Sequence, residues 1–540
     1  MKKWGPLVVL GLAQFLMVLD QAVMNVSISQ LVEDFDTTVT TIQAIITLYA
    51  LVMATTMMTG GKVGDIIGRR RAFAVGLVIY GAGSALTAAS WNVATLLLGW
   101  SILEGIGAAL VLPALVALVA ANYRGSDRVA AFGVMGGIAG VGIAAGPIIG
   151  GYFTTNLSWR WVFVGEVLIA LVILAAVRLL GDTPAGRRPR LDVVGATLTA
   201  LGLGMIVIGM LQAGSWGFLA PKNSPVEPFG FSLTPFVIMA GLAVMWGFVV
   251  WERHRVARDL DPLVDLDLLS VAPLRGGLGC FLSQNVILLG IFFILPLYLQ
   301  IVLGFDALET GIRMLPISIA MFITSATGPL LTSRFGAKRV VQAGYVVLVV
   351  ASFSMLQTIE PRLDGTAFAT ALVILGIGMG LIASQLGNVV QSAVETEDRG
   401  EAGGLQYTAQ QLGSAIGTAL IGAVVIGALV ASFVDKIDAN EAVPADLVAA
   451  VEIEVAAGAN FVAADVVETA LEDAGVDAEA SDALLDDYRA AQLRGLKTGL
   501  LIAAFLAMLS LPLTRALPAG HEPDGSDGDP TREHAAATTG

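Results

Sequence analysis

The sequence predicts an all-α membrane protein with 14 transmembrane helices. Of its 540 residues, 56% are hydrophobic and 14% are charged, whereas soluble domains contain about 25% charged residues. Apolar runs of about 20 residues, the length that a helix needs to cross a bilayer, recur along the chain. The ten-residue alternating segments that are typical of transmembrane β-barrels do not appear. Composition and pattern therefore favour a polytopic helical protein over a soluble domain or a barrel.

The apolar runs give the order of the spans, because each run is bounded by polar or basic residues. We place them near residues 5–29, 42–61, 72–91, 94–121, 129–153, 160–180, 192–213, 234–252, 274–299, 309–332, 339–357, 366–389, 403–432 and 495–516.

Basic residues predict the orientation, since short cytoplasmic loops are enriched in Lys and Arg. With the N-terminus inside, most of the 30 bases fall on the cytoplasmic side. We therefore expect a multi-pass protein of the cytoplasmic (inner) membrane with both termini in the cytoplasm.

Charge and cysteine content narrow the possible partners. The net charge of -14 is concentrated in the segment 433–494, which this orientation places outside. No basic stripe occurs, which argues against a nucleic-acid partner. Cys280 is the one cysteine, so disulfides and thiolate metal sites are excluded. The sequence suggests no metal and no cofactor.

The loop between spans 2 and 3 reads GGKVGDIIGRRR (residues 60–71). Its bases serve the orientation signal, but its glycines and its acid do not. Glycine permits tight turns and close approach of backbones, and an acid in a basic loop suggests a specific ionic or helix-terminus partner. We therefore treat Gly61, Asp65, Gly68 and Arg69 as candidate functional residues.

A weaker copy of this loop, PLLTSRFGAKR (residues 329–339), follows span 10. Aligning Gly68 with Gly336 puts Ser333 at the place of Asp65. Paired helical halves are a signature of secondary transporters, and this spacing leaves two helices between the halves. We expect a 6 + 2 + 6 arrangement with these parts: an N-terminal half 1–180, two inserted spans with linkers 181–273, a C-terminal half 274–516 that includes the loop 433–494, and a disordered cytoplasmic tail 517–540.

Span 5 contains GVMGGIAGVGIAAGPIIGG (residues 133–151). Small residues at helical spacing let a neighbouring backbone pack closely, and proline loosens a transmembrane helix. The residues that define this motif are Gly142, Gly146, Pro147, Gly150 and Gly151.

These two motifs resemble the loop signature and the antiporter motif of the major facilitator superfamily. Further matches, together with 14 spans, resemble its 14-span drug:H+ antiporter-2 family. They are LDQAVMNVSIS (19–29), SWRWVF (158–163), LPLYLQIVLG (295–304), TGIRMLP (310–316) and EDRGEAGGLQYTAQQLGSAIG (397–417).

The resemblance implies the major facilitator fold and a proton-coupled antiporter, not an enzyme. Such a protein exports lipophilic, cationic drugs or metabolites by alternating access. Its expected partners are a small-molecule substrate, protons and membrane lipids, and it is expected to act as a monomer. The family's loop is a latch that holds the two halves together, so Asp65 and Arg69 would be latch residues, with Gly61 and Gly68 allowing close approach.

Three acids lie inside predicted spans: Asp20 in span 1, Glu104 in span 4 and Glu166 in span 6. An ionisable group in a span costs about 2.5–3.5 kcal/mol on insertion scales, so it is a functional candidate. Apolar surroundings favour the protonated form of a carboxyl group, which suits reversible proton binding. We expect the three acids to face one cavity and to act in proton coupling or substrate binding together with Asn25. The alternative is that one or two are paired structural groups.

Three positions depart from the family pattern. Span 4 usually reads Arg-x-x-Gln-Gly but here has Ser101 and Glu104, and span 6 has Glu166 where the family commonly has asparagine. A cation is lost and two amides become acids, so the family's coupling scheme does not transfer unchanged.

Polar side chains in the C-terminal half either line the cavity or bond between helices. They are Gln284, Asn285, Gln385 and Asn388. Glu309 and Arg313 have the i, i+4 spacing of a local ion pair. The acidic loop is either a helical cap, with Ser481 as a possible N-cap, or a solvated tether.

Other functions stay open at this point. A dedicated exporter of one endogenous metabolite and a proton symporter share this fold, although the span 5 motif disfavours symport by resemblance. No phosphate-binding loop of an ATP-driven pump occurs. A non-transporting sensor or a membrane enzyme is a remote alternative, because no nucleophile or metal-ligand pattern lies in the spans.

Overall fold

The computed structural model describes residues 4–123, 125–181, 190–258, 260–395, 399–440, 461–473 and 476–518. Over these ranges the chain forms helices and no strand, and 14 helices are long and apolar enough to cross a membrane. The predicted fold class and the number of spans are confirmed.

We number the spanning helices α1 to α14. Their bounds are α1 Gly5–Val26, α2 Val39–Ile67, α3 Arg69–Ala88, α4 Val93–Leu96 continuing through the π-helical Leu97–Glu104 into Gly105–Asn122, α5 Gly125–Asn156, α6 Arg160–Ala176, α7 Val193–Trp216, α8 Leu233–Val256, α9 Ala272–Pro296 continuing into the π-helical Leu297–Val302, α10 Ala307–Phe335, α11 Ala337–Thr358, α12 Gly365–Ser392, α13 Arg399–Ala439 and α14 Ala478–Ser510. Two shorter helices, Ile28–Asp34 and Ala464–Asp473, lie outside the spans.

The last helix differs from its predicted bounds. It begins at Ala478, well before residue 495, and Asp477 caps it by accepting the N–H of Glu479. The expectation that Ser481 is the N-cap is wrong, because Ser481 lies within the helix. An aspartate at the junction satisfies the free N–H groups of the first turn as well as a serine does.

Helix pairing within the first six helices recurs within the last six. The pairs α1–α5, α2–α4, α3–α4 and α3–α6 are matched by α9–α13, α10–α12, α11–α12 and α11–α14. Each pair reappears eight helices later, and α7 packs against α8. We call α1–α6 the N-terminal bundle and α9–α14 the C-terminal bundle.

The two bundles meet through two helix pairs, α2 with α13 and α5 with α10, and α7 also contacts α2 and α13. Hydrogen bonds from side chains cross this interface. Gln300 Nε2 donates to Val26 O over 2.8 Å, Gln43 Nε2 donates to Thr418 O over 2.8 Å, and Gln21 Nε2 donates to Gln411 Oε1 over 3.4 Å. Ser29 also donates to Gln300 Oε1, and the Leu308 N–H donates to Thr155 Oγ1 over 3.1 Å. These contacts lie in the middle of the molecule and toward the end opposite the 60–71 loop.

Each of the two related loops is shorter than predicted and consists of one glycine between two helices, since α2 continues to Ile67 and α10 to Phe335. We keep the name 60–71 loop for the motif. The two glycines have similar backbone geometry. Gly68 joins α2 to α3 with φ 98° and ψ 138°, and Gly336 joins α10 to α11 with φ 78° and ψ 152°. Positive φ is costly for residues with a Cβ. Both loops therefore require glycine at the position that aligned them in the sequence.

The acidic loop contains a helix that packs against the start of α14. Tyr488 OH donates to Val462 O over 3.0 Å, and Lys436 Nζ lies 3.5 Å from Asp487 Oδ1. These contacts favour the helical cap over a free tether for residues 461–473. Residues 441–460, the basic stretch 182–189 and most of the tail predicted for 517–540 lie outside the described ranges.

Candidate functional site

The three acids predicted from the sequence lie in one buried group. One carboxylate oxygen of each of Asp20, Glu104 and Glu166 lies within 4.8 Å of the others, and all three side chains are fully buried. We call these three residues the carboxylate cluster. It lies inside the N-terminal bundle, between α1, α4 and α6, and its hydrogen-bond partners come from α2, α3 and α4.

Asp20 receives a hydrogen bond on each carboxylate oxygen. Tyr49 OH donates to Oδ2 and Trp100 Nε1 donates to Oδ1, each over 2.7 Å. The rings of Tyr49 and Trp100 stack with their centroids 4.5 Å apart. Because an indole N–H is a donor only, Trp100 fixes Oδ1 as an acceptor.

Glu104 lies where α4 changes from π-helical to α-helical geometry. Such π-helical turns occur frequently at functional sites. Thr87 Oγ1 lies 3.0 Å from Glu104 Oε1 and 2.9 Å from Gly83 O. A Cβ on Gly83 would lie 2.6 Å from Glu104 Cγ, so glycine at this position lets the acid approach α3.

Glu166 receives two hydrogen bonds on one oxygen. Tyr80 OH donates to Oε2 over 2.9 Å and Ser84 Oγ donates to the same oxygen over 3.0 Å. Among the described residues, Glu166 Oε1 and Glu104 Oε2 have no hydrogen-bond partner. Glu104 and Glu166 therefore each have one carboxylate oxygen with a hydrogen-bond partner and one without.

Within the described part of the chain, no Lys, Arg or His forms an ion pair with the cluster. Ser101, which replaces the family arginine, donates instead to Ile45 O over 2.8 Å. Two ionised carboxylates 4.8 Å apart would repel by roughly 3 kcal/mol at an effective dielectric constant of about 20. The group is therefore built to hold protons or a cation, since full ionisation is strongly disfavoured.

Sequence reasoning missed the neutral partners of the cluster. They are Tyr49, Tyr80, Ser84, Thr87 and Trp100. In an apolar span, such residues are not marked by charge or by periodicity. Asn25, which was predicted to join the site, donates through Nδ2 to Gln21 O on its own helix, and its buried Oδ1 has no partner among the described residues.

The 60–71 loop forms a local ionic contact and lines a small cavity. Arg69 pairs with Asp65 and also donates to Gly61 O over 3.2 Å. The cavity, of about 60 Å³, is bounded by this loop, by the segment preceding α9 and by the start of α13. The loop therefore lies beside the C-terminal bundle and beside the segment between α8 and α9.

The predicted reason for Gly61 is not supported by the structure. A Cβ on Gly61 would have an ordinary contact of 3.8 Å with Pro113, whereas a Cβ on Gly60 would lie 2.2 Å from Ala109 O. The close approach between α2 and α4 occurs at Gly60, and Gly61 contributes its carbonyl oxygen to Arg69 instead.

The glycines of the span 5 motif pack α5 between the two bundles. Gly142, Gly146 and Gly150 face α1, and a Cβ on Gly146 would lie 2.2 Å from Ala22 Cβ, two residues from Asp20. On the other side, a Cβ on Gly151 would lie 2.5 Å from Ala307 O in α10. A Cβ on Gly311 in α10 would lie 2.0 Å from the carbonyl oxygen of Pro147. The backbones of α5 and α10 are therefore in close contact at the proline of the motif.

The polar residues of the C-terminal bundle bond within and between helices. Gln284 Nε2 donates to Met379 O over 3.1 Å, and Gln385 Oε1 accepts from Thr332 Oγ1 over 2.5 Å, so both link neighbouring helices. Asn285 donates to Phe281 O over 3.0 Å and Asn388 accepts from Ser392 over 3.4 Å, each on its own helix. These contacts favour bonding between and within helices over a role in the cavity.

The ion pair expected for Glu309 and Arg313 is not formed between their side chains. Arg313 Nη1 lies 3.4 Å from the Glu309 carbonyl oxygen, and the guanidinium lies over the Phe305 ring at 3.7 Å from its centroid. Stacking on an aromatic ring replaces the predicted pair.

A second buried acidic group joins α7 and α8, and the sequence did not predict it. Asp192 accepts from Trp251 Nε1 over 2.9 Å and pairs with Arg255 over 3.3 Å. Fully buried Glu252 accepts the N–H groups of Leu263 and Val264 over 2.8 and 3.4 Å. Glu252 Oε1 has no partner among the described residues, so these donors satisfy the Asp192–Glu252 pair only in part.

The SWRWVF motif anchors the end of the bundle opposite the 60–71 loop. Trp159 Nε1 and Arg160 Nη1 donate to Asp34 Oδ2 over 2.8 and 2.7 Å. Burial raises the pKa of Asp34, but the hydrogen bonds from Trp159, Arg160 and Gln30 and the charge of Arg160 outweigh it and lower the pKa below its usual 3.8. Asp34 is therefore held as a carboxylate.

Comparison with known proteins agrees with this architecture. A probable actinorhodin transporter of Streptomyces coelicolor is 32% identical over 79% of this chain and 73% of its own length. The puromycin resistance protein of Streptomyces alboniger is 32% identical over 80% of this chain and 84% of its own length. These relatives are consistent with the predicted drug-exporter resemblance and imply a transporter of small molecules.

The fold is shared with a solved structure. A bacterial homologue of the human lysosomal transporter Spinster, crystallised in an inward-facing and unoccupied conformation, superposes with a TM-score of 0.60 at 16% identity, over 97% of this chain and 99% of that chain. The sequence model of the Major Facilitator Superfamily matches residues 10–418. The chain is therefore a multi-pass transporter that belongs to the Major Facilitator Superfamily.

Proposed function

We propose that this transporter is a proton-coupled antiporter that exports lipophilic, cationic compounds across the cytoplasmic membrane by alternating access. The observation that supports this most is the carboxylate cluster. Its three acids lie within 4.8 Å of one another, and the described residues provide no basic partner. Such a group attracts either protons or a cation, so occupation by one disfavours the other. Competition of this kind is what exchange requires.

The surroundings of the cluster support a link to the rest of the molecule. Asp20 and Gln21 are adjacent in α1, and Gln21 bonds to Gln411 in the C-terminal bundle. Glycines of α5 pack directly on α1 near Asp20 and on α10 across the interface. A change in the charge of Asp20 therefore acts on helices that lie between the bundles.

We also propose the 6 + 2 + 6 domain arrangement, with α7 and α8 as the insert and both termini in the cytoplasm. The recurrence of helix pairs eight positions apart supports the division. In this scheme the 60–71 loop is a cytoplasmic latch, and its position beside the start of α13 supports that role. The transporter acts as a monomer among membrane lipids.

A second candidate is an exporter dedicated to one endogenous metabolite. The relatives are named after single antibiotics, actinorhodin and puromycin. The departures at Ser101, Glu104 and Glu166 from the family pattern also suit a site specialised for one compound.

Transport by purified protein in liposomes tests the proposal. The vesicles contain a pH-sensitive dye and have an acidic interior, and ethidium is added outside. We expect that ethidium enters the vesicles and that the pH of the lumen rises in proportion to the ethidium taken up. Neither change should occur in protein-free vesicles. Uptake driven by a sodium gradient, without proton movement, would reject proton coupling.

The same vesicles separate the two candidates. A cationic multidrug exporter moves ethidium and unrelated lipophilic cations at comparable rates. A dedicated exporter moves none of these cations. It moves one compound, which is found by screening the products of the biosynthetic enzymes that are encoded beside its gene.

A further inference from the structure

Hydrogen-bond donors are distributed unequally over the carboxylate cluster. Asp20 has a donor on both oxygens, whereas Glu104 Oε2 and Glu166 Oε1 have none among the described residues. A buried carboxylate oxygen without a donor is costly when the group is ionised, and protonation of the carboxyl group on either oxygen reduces that cost. The pattern therefore distinguishes one ionised acid from two neutral ones.

The contact between Glu104 and Thr87 indicates a proton on Glu104. The Thr87 hydroxyl has one hydrogen, and it faces two acceptors, Gly83 O at 2.9 Å and Glu104 Oε1 at 3.0 Å. The Gly83 carbonyl can only accept, so it takes the Thr87 hydrogen. The second contact is satisfied when a protonated Glu104 donates to Thr87 Oγ1.

Glu166 has the geometry of a neutral carboxylic acid. Tyr80 and Ser84 both donate to Oε2, which acts as the carbonyl oxygen. The other oxygen, Oε1, faces no donor in the described structure and can itself donate to a neighbouring carboxylate when protonated. One proton on Oε1 therefore removes the cost of a buried, ionised oxygen that has no donor.

Asp20 has the opposite arrangement. Trp100 Nε1 and Tyr49 OH each donate to a different oxygen over 2.7 Å. Hydrogen bonds to ionised groups are stronger than those to neutral ones, so this geometry stabilises the carboxylate form.

We propose that the carboxylate cluster stores two protons, one on Glu104 and one on Glu166, with Asp20 ionised, and that one monovalent cation is exchanged for both. The inference rests on the proposed function and adds its stoichiometry. The titratable groups facing the cluster are Tyr49 and Tyr80, which act as neutral donors. The cluster then changes from a charge of -1 with two protons to -3 when both leave, and the arriving cation offsets part of that change.

The response of ethidium transport to an imposed membrane potential measures this stoichiometry. Exchange of one ethidium ion for two protons moves one net positive charge outward from the vesicle. At equal pH on both sides, an inside-positive potential set by potassium and valinomycin then drives ethidium inward. Passive leakage of ethidium has the opposite sign, because an inside-positive potential expels a cation.

We expect wild-type protein to accumulate ethidium under the inside-positive potential. Glu104→Gln and Glu166→Gln each remove one stored proton, so uptake loses its dependence on potential while a pH gradient still drives it. Glu252→Gln, a buried acid outside the cluster, is the matched control and keeps the voltage dependence.

Two results distinguish a wrong stoichiometry from a wrong proposed function. If a pH gradient drives uptake by the wild type but the potential does not, one proton is exchanged and the two-proton inference is wrong. If neither gradient drives uptake of ethidium or any other cation, the proposed antiport itself fails. The wild-type result decides both points even if a variant does not fold.

Discussion

The carboxylate cluster and the Asp192–Glu252 pair are equally buried but have different partners. In the cluster, two carboxylate oxygens lack a donor among the described residues, and no base of the described ranges is paired with it. At α7 and α8, Arg255 pairs with Asp192 and two backbone N–H groups bind Glu252. A Cβ on Gly195 would lie 2.4 Å from Glu252 Oε1 and 2.5 Å from Asp192 Oδ2, so glycine there makes room for both acids.

The comparison shows that burial alone does not indicate function. Glu252 Oε1 also lacks a partner among the described residues, so the two groups differ in their charges and not in having an unsatisfied oxygen. The Asp192–Glu252 pair has a base, Arg255, and backbone N–H groups that connect it to neighbouring segments of the chain. Three acids without a basic partner are expected to change state when a proton or cation arrives. We therefore expect substitutions in the two groups to affect different properties.

The largest effect is expected for Asp20→Asn. The variant removes the acid that we assign as ionised while keeping the shape and acceptor oxygen of the side chain. Proton-coupled ethidium transport should fall to the level of protein-free vesicles, with little change in thermal unfolding. Asp192→Asn, the matched change in the other group, should retain coupling, and equal loss of coupling in both variants would remove the distinction between the groups.

A large effect is also expected for Gly146→Ala. The new Cβ would lie 2.2 Å from Ala22 Cβ, so α1 must move and take Asp20 with it. Overpacking of this kind costs about 1–3 kcal/mol, and both the melting temperature and transport should fall. Gly137→Ala on the same helix has no atom within 4 Å and should resemble the wild type.

Trp100→Phe tests one donor of the cluster. Phenylalanine keeps an aromatic ring against Tyr49 but removes the N–H that binds Asp20 Oδ1. A hydrogen bond to a charged group contributes about 1.5–3 kcal/mol, so transport at low substrate should fall roughly tenfold or more. Trp246→Phe, at an exposed position, is the control. Unchanged transport in Trp100→Phe would show that this bond does not stabilise the ionised acid.

Glu252→Ala should lower stability without changing coupling. It leaves the N–H groups of Leu263 and Val264 without their acceptor, which costs about 1–3 kcal/mol when such groups are buried. Thermal unfolding in detergent should show the loss, and Glu252→Gln should recover most of it because an amide oxygen also accepts. A changed proton stoichiometry in either variant would contradict the assignment.

The smallest effect is expected for Asp34→Asn. The pKa of Asp34 is lowered, so its ionic contacts stabilise the protein above the usual value of 3.8 and this stability is lost as the pH falls through the lowered pKa. At neutral pH the variant should lose about 1 kcal/mol or less, since the pair with Arg160 is partly exposed. The difference between wild type and variant should vanish at acidic pH, and a constant difference would refute this origin.

The sequence was sufficient to predict the helices and the acids, because both contrast with their surroundings. Apolar runs of bilayer length marked every span, and Asp20, Glu104 and Glu166 stood out within them. Their partners could not be predicted. Tyr49 and Trp100 are 29 and 80 residues from Asp20, and neutral polar or aromatic residues are common in spans for other reasons.

Two errors have a similar cause, because residues of similar chemistry lie within about one helical turn of each other, and a third error comes from a contact distant in sequence. Gly60 rather than Gly61 makes the close approach, since helix rotation decides which glycine faces α4. Asp477 rather than Ser481 caps the last helix. Glu252 was placed at the edge of a span, and the chain that folds back onto it is what buries it.

Proton release on substrate binding tests the central claim most directly. Purified protein in weakly buffered detergent solution is mixed with ethidium while the pH is recorded. We predict that binding releases protons from the wild type and from Glu252→Gln, and that the triple variant Asp20→Asn, Glu104→Gln, Glu166→Gln releases none. Binding of ethidium to the wild type without proton release, or equal release from the triple variant, would contradict the assignment of the carboxylate cluster as the coupling site.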